Sequence, residues 1–102
     1  MDLGEQILSW SYKAYGQEVD TKIAAIVNYE AGDLSRDFIR IEDYPDCVEL
    51  YERQAKTSMG DVIAMMRLLC AKRGWDFNII DKDGCQRAID RCREKLAGKN
   101  GF

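Results

Sequence analysis

Histidine is absent from the 102 residues. That removes imidazole metal ligands, His-dependent triads and histidine acid–base schemes together. Carboxylates, hydroxyls, thiols or cations must carry any chemistry. Proline occurs once, at Pro45, and no stretch alternates apolar and polar residues, so the chain reads as helix rather than strand. A basic excess is also missing. The 15 Lys+Arg against 18 Asp+Glu leave a net charge of −3, which argues against a general binder of nucleic-acid polymers. No apolar run is long enough to span a bilayer; the clearest covers residues 62–66. The opening MDLGEQILSWSYKAYG lacks the basic start and long apolar stretch of a signal peptide. A soluble cytoplasmic protein with reduced thiols is the expectation.

The four cysteines, Cys47, Cys70, Cys85 and Cys92, contain no CxxC pair, so a thioredoxin-like redox motif is excluded. Most are expected to be small buried hydrophobes. With 46% hydrophobic and 32% charged residues, the chain can build one core under a solvated surface, giving a single domain over residues 1–102.

Apolar residues at three-to-four spacing mark a first helix over about residues 2–15, closed by Gly16. Asp20 or Thr21 is placed to cap a second helix ending near residue 42. Its inward set is Ile23, Ile26, Val27, Leu34, Phe38 and Ile41. A third helix is predicted over about residues 46–72 and a fourth over about 83–96, separated by a looser segment after Gly74. Residues 97–102 read as a flexible tail. The fold class is therefore all-α, a four-helix bundle. Charge is uneven along it: residues 1–70 hold 7 basic and 13 acidic side chains, and residues 71–102 hold 8 and 5.

A helical wheel at ~100° per residue brings out the most informative feature. With Glu30 at 0°, Ile23, Val27, Leu34 and Ile41 fall within ~60° of it, and Asp33 and Asp37 lie on the same side. Three acids thus share the face that should be buried. On the third helix, Asp61 lies within ~40° of Leu50, Met65 and Leu68. Unpaired buried carboxylates cost several kcal/mol, so such groups need cations, metals or protons. Clustered carboxylate oxygens suit Mg²⁺ or Mn²⁺ without histidine. Cross-bundle salt bridges are the alternative.

Glu30-Ala31-Gly32-Asp33-Leu34 resembles the ExxE-type motif, often EEAGEL, of MazG-like all-α NTP pyrophosphohydrolases. Ser58-Met59-Gly60-Asp61-Val62 resembles their second motif, ExxD, commonly ELGDV, and Gly74-Trp75-Asp76 resembles the GID that often follows. The resemblance covers about residues 3–96. It implies a MazG-type helical fold assembled as homodimer or homotetramer. It also implies hydrolysis of a nucleoside triphosphate to monophosphate and pyrophosphate with Mg²⁺. Carried over, Glu30, Asp33 and Asp61 are the implied catalytic acids and metal ligands, with Asp37 a further donor one turn on. Asp33 stands where the family usually has Glu, and Tyr29 where it often has the first Glu of a pair. Ser58 is the main departure, a hydroxyl where the second motif has a carboxylate. In such chemistry metal ions neutralise the triphosphate, lower the pKa of a bound water and align attacking and leaving oxygens.

Arg87, Arg91 and Lys95 form a basic stripe on the last helix; Arg91 and Lys95 are candidate phosphate-binding residues. Trp10, Tyr12, Tyr15 and Trp75 are assigned to core or interface packing. Wide apolar arcs on the third helix favour a homo-oligomer. The rival readings are a catalytically degenerate MazG-like protein binding nucleotide or metal, and a plain helical oligomerisation module.

Overall fold

Residues 1–17 and 19–101 are described by a computed structural model, with side chains through residue 98. Four α-helices form, α1 (Leu3–Tyr15), α2 (Asp20–Asp43), α3 (Val48–Arg73) and α4 (Phe77–Gly101). No strand occurs among the described residues.

Local chemistry sets the helix ends. The Asp2 carboxylate accepts the Glu5 backbone N–H at 2.8 Å and caps α1, and Gly16, at φ 75°, takes the chain out of it. Pro45 opens a one-turn 3-10 helix, Pro45–Cys47, that reverses the chain between α2 and α3. Gly74 adopts the left-handed conformation and the Trp75 N–H donates to the Cys70 carbonyl at 2.8 Å, which ends α3. Two expectations are corrected here. Asp20 is the first residue of α2 rather than its cap, because its carboxylate is drawn to Lys72 (2.9 Å) and Arg73 (3.1 Å) on α3. The segment after Gly74 is not loose. Asp76 accepts the backbone N–H of Asn78 (2.9 Å) and Ile79 (3.2 Å), so α4 begins at Phe77 and runs past Leu96 to Gly101. Phe102 lies outside the described residues.

α2 and α3 pair as an antiparallel hairpin, and three contacts fix their register. Asp20 meets Lys72 and Arg73 at one end, Asp37 meets Ser58 in the middle, and the Tyr44 and Tyr51 rings lie 6.0 Å apart near the turn. α1 crosses the C-terminal half of α3. The approach is close enough that Gly4 is buried, and a Cβ there would lie 2.9 Å from the Arg67 carbonyl oxygen. The core is thin: Ile23, Ala55, Leu68 and Cys70 are its buried apolar residues among those described. Cys47, Cys85 and Cys92 are exposed, so burial holds for Cys70 alone.

α4 departs from the expected bundle. Among the described residues it meets only α3, where the Arg67 guanidinium lies over the Phe77 ring at 4.2 Å. Beyond that turn it projects, leaving Ile89 and Leu96 exposed, whereas a four-helix bundle would bury such apolar side chains. The radius of gyration is 17.5 Å, against about 13 Å for a compact chain of this length. The bundle is thus three helices with a fourth standing off it. None of the helices is long and apolar enough to cross a membrane among the described residues.

Gly4→Ala is expected to destabilise the fold by about 1–3 kcal/mol, because backbone rather than a flexible side chain opposes the new methyl. Gly60→Ala meets nothing within 4 Å and is expected to stabilise α3 by up to about 1 kcal/mol. Urea denaturation of both variants separates the two effects.

The ammonium of Lys72, hydrogen-bonded to Asp20, and then Arg73 hold the Asp20 carboxyl below its ordinary 3.8. A carboxyl whose pKa is lower when folded stabilises the fold above its unfolded pKa and loses that contribution as pH falls through the folded value. Acid unfolding of Asp20→Asn is therefore expected to differ from wild type above about pH 4 and to converge with it below, as thermal melts across pH 2–6 will register.

Candidate functional site

The centre of the α2–α3 interface is polar. Asp37 is 3% exposed and Ser58 8% exposed, and the Ser58 hydroxyl donates to Asp37 Oδ2 at 2.7 Å. A carboxylate buried among apolar side chains without a donor costs several kcal/mol, so this bond decides whether the two helices can close. No buried side-chain polar atom lacks a hydrogen-bond partner among the described residues.

The predicted inward face of α2 forms except at Phe38, which is exposed. Ile23 and Asp37 are buried on it, and Glu30, Asp33 and Leu34 are half-buried. Asp33 is bound at 3.1 Å to Arg36 on its own helix. The α3 face is different. Asp61 is exposed, as are Leu50 and Met59, while Ala55 and Ser58 are buried. The wheel averaged the whole of α3, but its first half packs against α2, whereas its second half also meets α1 and the start of α4. α1 covers only the second half, which brings in Leu68. The first half buries the arc through Ala55, Ser58 and Val62, and Asp61 lies at the edge of that arc.

The antiparallel register still places the motif residues along one stretch. Asp33 is one turn before Asp37 on α2, and Asp61 is about one turn after Ser58 on α3, so both lie toward the same end of the hairpin. Side chains do not complete a metal centre within one chain. No group of three or more His, Cys, Asp or Glu is close enough to hold an ion among the described residues. Carboxylate oxygens are suitable donors for Mg²⁺ or Mn²⁺, but Glu30, Asp33 and Asp61 do not converge as a ligand set within one chain.

No protein-family model, curated protein or solved structure matches this chain. The site must be read from its own geometry.

Arg91 and Lys95 are exposed on α4, which does not touch α2. They are thus remote from the interface that carries the acids. Of the cations on α2 and α3, Arg36 and Arg53 line an open groove of about 320 Å³ beside the Asp37–Ser58 pair. The sequence reading passed over both, drawn to the density of cations in the last helix. The available signal was positional: Arg36 and Arg53 flank the two motifs on the motif-bearing helices themselves.

Ser58→Ala is expected to cost about 1–3 kcal/mol, since it leaves Asp37 buried without its donor. Ser58→Glu sets a second carboxylate against Asp37, and is expected to be less stable still at neutral pH. The exchange Asp37→Ser/Ser58→Glu keeps one carboxylate and one hydroxyl and is expected to recover part of the loss. Urea melts of the three variants read the ordering directly.

Proposed function

We propose that this chain is a MazG-like nucleoside triphosphate pyrophosphohydrolase, cleaving an NTP or dNTP to monophosphate and pyrophosphate with Mg²⁺. One observation carries the reading: the hairpin register aligns the Glu30/Asp33 motif with the Ser58/Asp61 motif, as a shared site would require. The supporting chemistry is a seam of acids flanked by arginines, in a chain whose missing histidine leaves few other hydrolytic designs.

The proposal includes a homo-oligomer, dimer or tetramer. The chain exposes 8004 Å², whereas a compact monomer of 11.7 kDa exposes about 5,900 Å². The difference exceeds the roughly 800 Å² that each partner buries in an ordinary stable interface. Cys85, Ile89, Cys92 and Leu96 recur along α4 at alternating steps of four and three, the spacing of a coiled-coil seam. Ile89 and Leu96 are exposed on that seam, at 46% and 55%. A second copy is the natural cover for it, and also a source of the acids that one chain does not converge.

A second reading is favoured by the Ser58–Asp37 bond. With the second motif's first position engaged in holding the helices together, the chain becomes a nucleotide-binding relative without turnover.

Pyrophosphate release from a panel of NTPs and dNTPs with Mg²⁺ decides between the two. Turnover of at least one nucleotide is expected, from a species whose light-scattering mass is a multiple of 11.7 kDa. Folded protein that binds nucleotide and releases no pyrophosphate establishes the second reading instead. Folded protein that does neither removes both.

A further inference from the structure

We infer that the groove lined by Arg36 and Arg53 is a polyphosphate site, with Arg53 as its principal cation. Arg53 is exposed, borders the groove and has no ion-pair or hydrogen-bond partner for its guanidinium among the described residues. A free guanidinium presents a planar fork of donors matched to two phosphate oxygens at once. Arg36 stands on the opposite helix and commits Nη2 to Asp33, which keeps its head group ordered while its other donors stay available.

The acids of the groove do not cancel this. Asp33 and Arg36 offset each other at 3.1 Å, which leaves Arg53 as the cation that meets an incoming anion. Asp37 is 3% exposed, with Oδ2 occupied by the Ser58 hydroxyl, so it is floor rather than open carboxylate. Gln54 and Thr57, also on the lining, add neutral hydrogen-bonding groups beside Arg53. The volume of about 320 Å³ lies at the lower end of small-molecule sites and admits a chain of phosphates with its remainder directed to solvent. This assignment replaces Arg91 and Lys95 as the phosphate-binding cations. It rests on the proposed function only for the origin of the polyphosphate, because the cation geometry stands without it.

Inorganic tripolyphosphate is the probe, titrated calorimetrically into wild type, Arg53→Gln and the Arg91→Gln/Lys95→Gln pair without metal. Glutamine keeps helix propensity, and circular-dichroism melts verify that each variant is folded. Arg53→Gln is expected to weaken binding about tenfold or more, as loss of a bidentate charged contact does. The α4 pair is expected to stay within about twofold of wild type after allowance for screening. No binding by wild type, or equal binding by wild type and Arg53→Gln, overturns the assignment. Binding that depends on Arg53 in a protein that releases no pyrophosphate from any nucleotide keeps the anion site and removes the hydrolase reading. Turnover with the same KM in wild type and Arg53→Gln keeps the hydrolase and removes the site.

Discussion

Asp37 is a carboxylate placed where an apolar side chain would ordinarily go, and α2 and α3 can close over it only because Ser58 supplies a proton donor. A leucine there would have packed without needing a partner. A carboxylate needs one in a set direction, so the bond fixes rotation and axial position together. Hydrogen bonds to charged groups contribute about 1.5–3 kcal/mol, more than a neutral pair, while loss of one partner costs the desolvation of the other. The Asp20 staple and the Tyr44–Tyr51 contact lie in the same register at the two ends of the hairpin, and both are exposed enough to be individually weak. The central bond is therefore the one that selects a single alignment, and the relation between the two sequence motifs follows from it.

What the hairpin holds in register, the remaining packing leaves open. α1 is admitted only because Gly4 removes a Cβ at the crossing, so one side of α3 is covered over half its length. α4 is anchored through Arg67 and Phe77 and then leaves the body. A 25-residue helix held by one turn cannot draw its stability from contacts within the chain, and isolated helices gain little from propensity alone. The exposed seam on α4 and the excess surface of the whole chain have the same origin. There is more helix here than the contacts within one chain can cover.

The sequence was legible where a helix has one neighbour along its whole buried face. α2 is such a helix, and the wheel placed Ile23, Glu30, Leu34 and Asp37 on its inward side. It failed on α3, because a single inward direction does not exist for a helix that gains a second neighbour halfway along. Asp61 was misplaced for that reason, and Leu50 with it. Helix ends were legible where glycine or proline marked them, at Gly16, Pro45 and Gly74, and not where an aspartate had two roles open to it. Asp20 had the residue type of a cap and became a cross-helix ion pair, while Asp76 was read as part of a loop and became a cap. In each case the deciding partner lay outside the local sequence or in a backbone N–H that no side-chain pattern displays.

Ser58 takes on a different meaning once its partner is known. Read along the chain, it is a hydroxyl at a position where the motif it resembles has a carboxylate. Across the hairpin, the hydroxyl at 58 faces an acid at 37, one helix over and within a single hydrogen bond. The pair holds one carboxyl group, on α2, and one hydroxyl donor, on α3. A glutamate at 58 and an aspartate at 37 would be two like charges in one buried space, a combination that neither burial nor packing favours. The two positions therefore constrain each other physically. The hydroxyl at 58 is what permits the acid at 37.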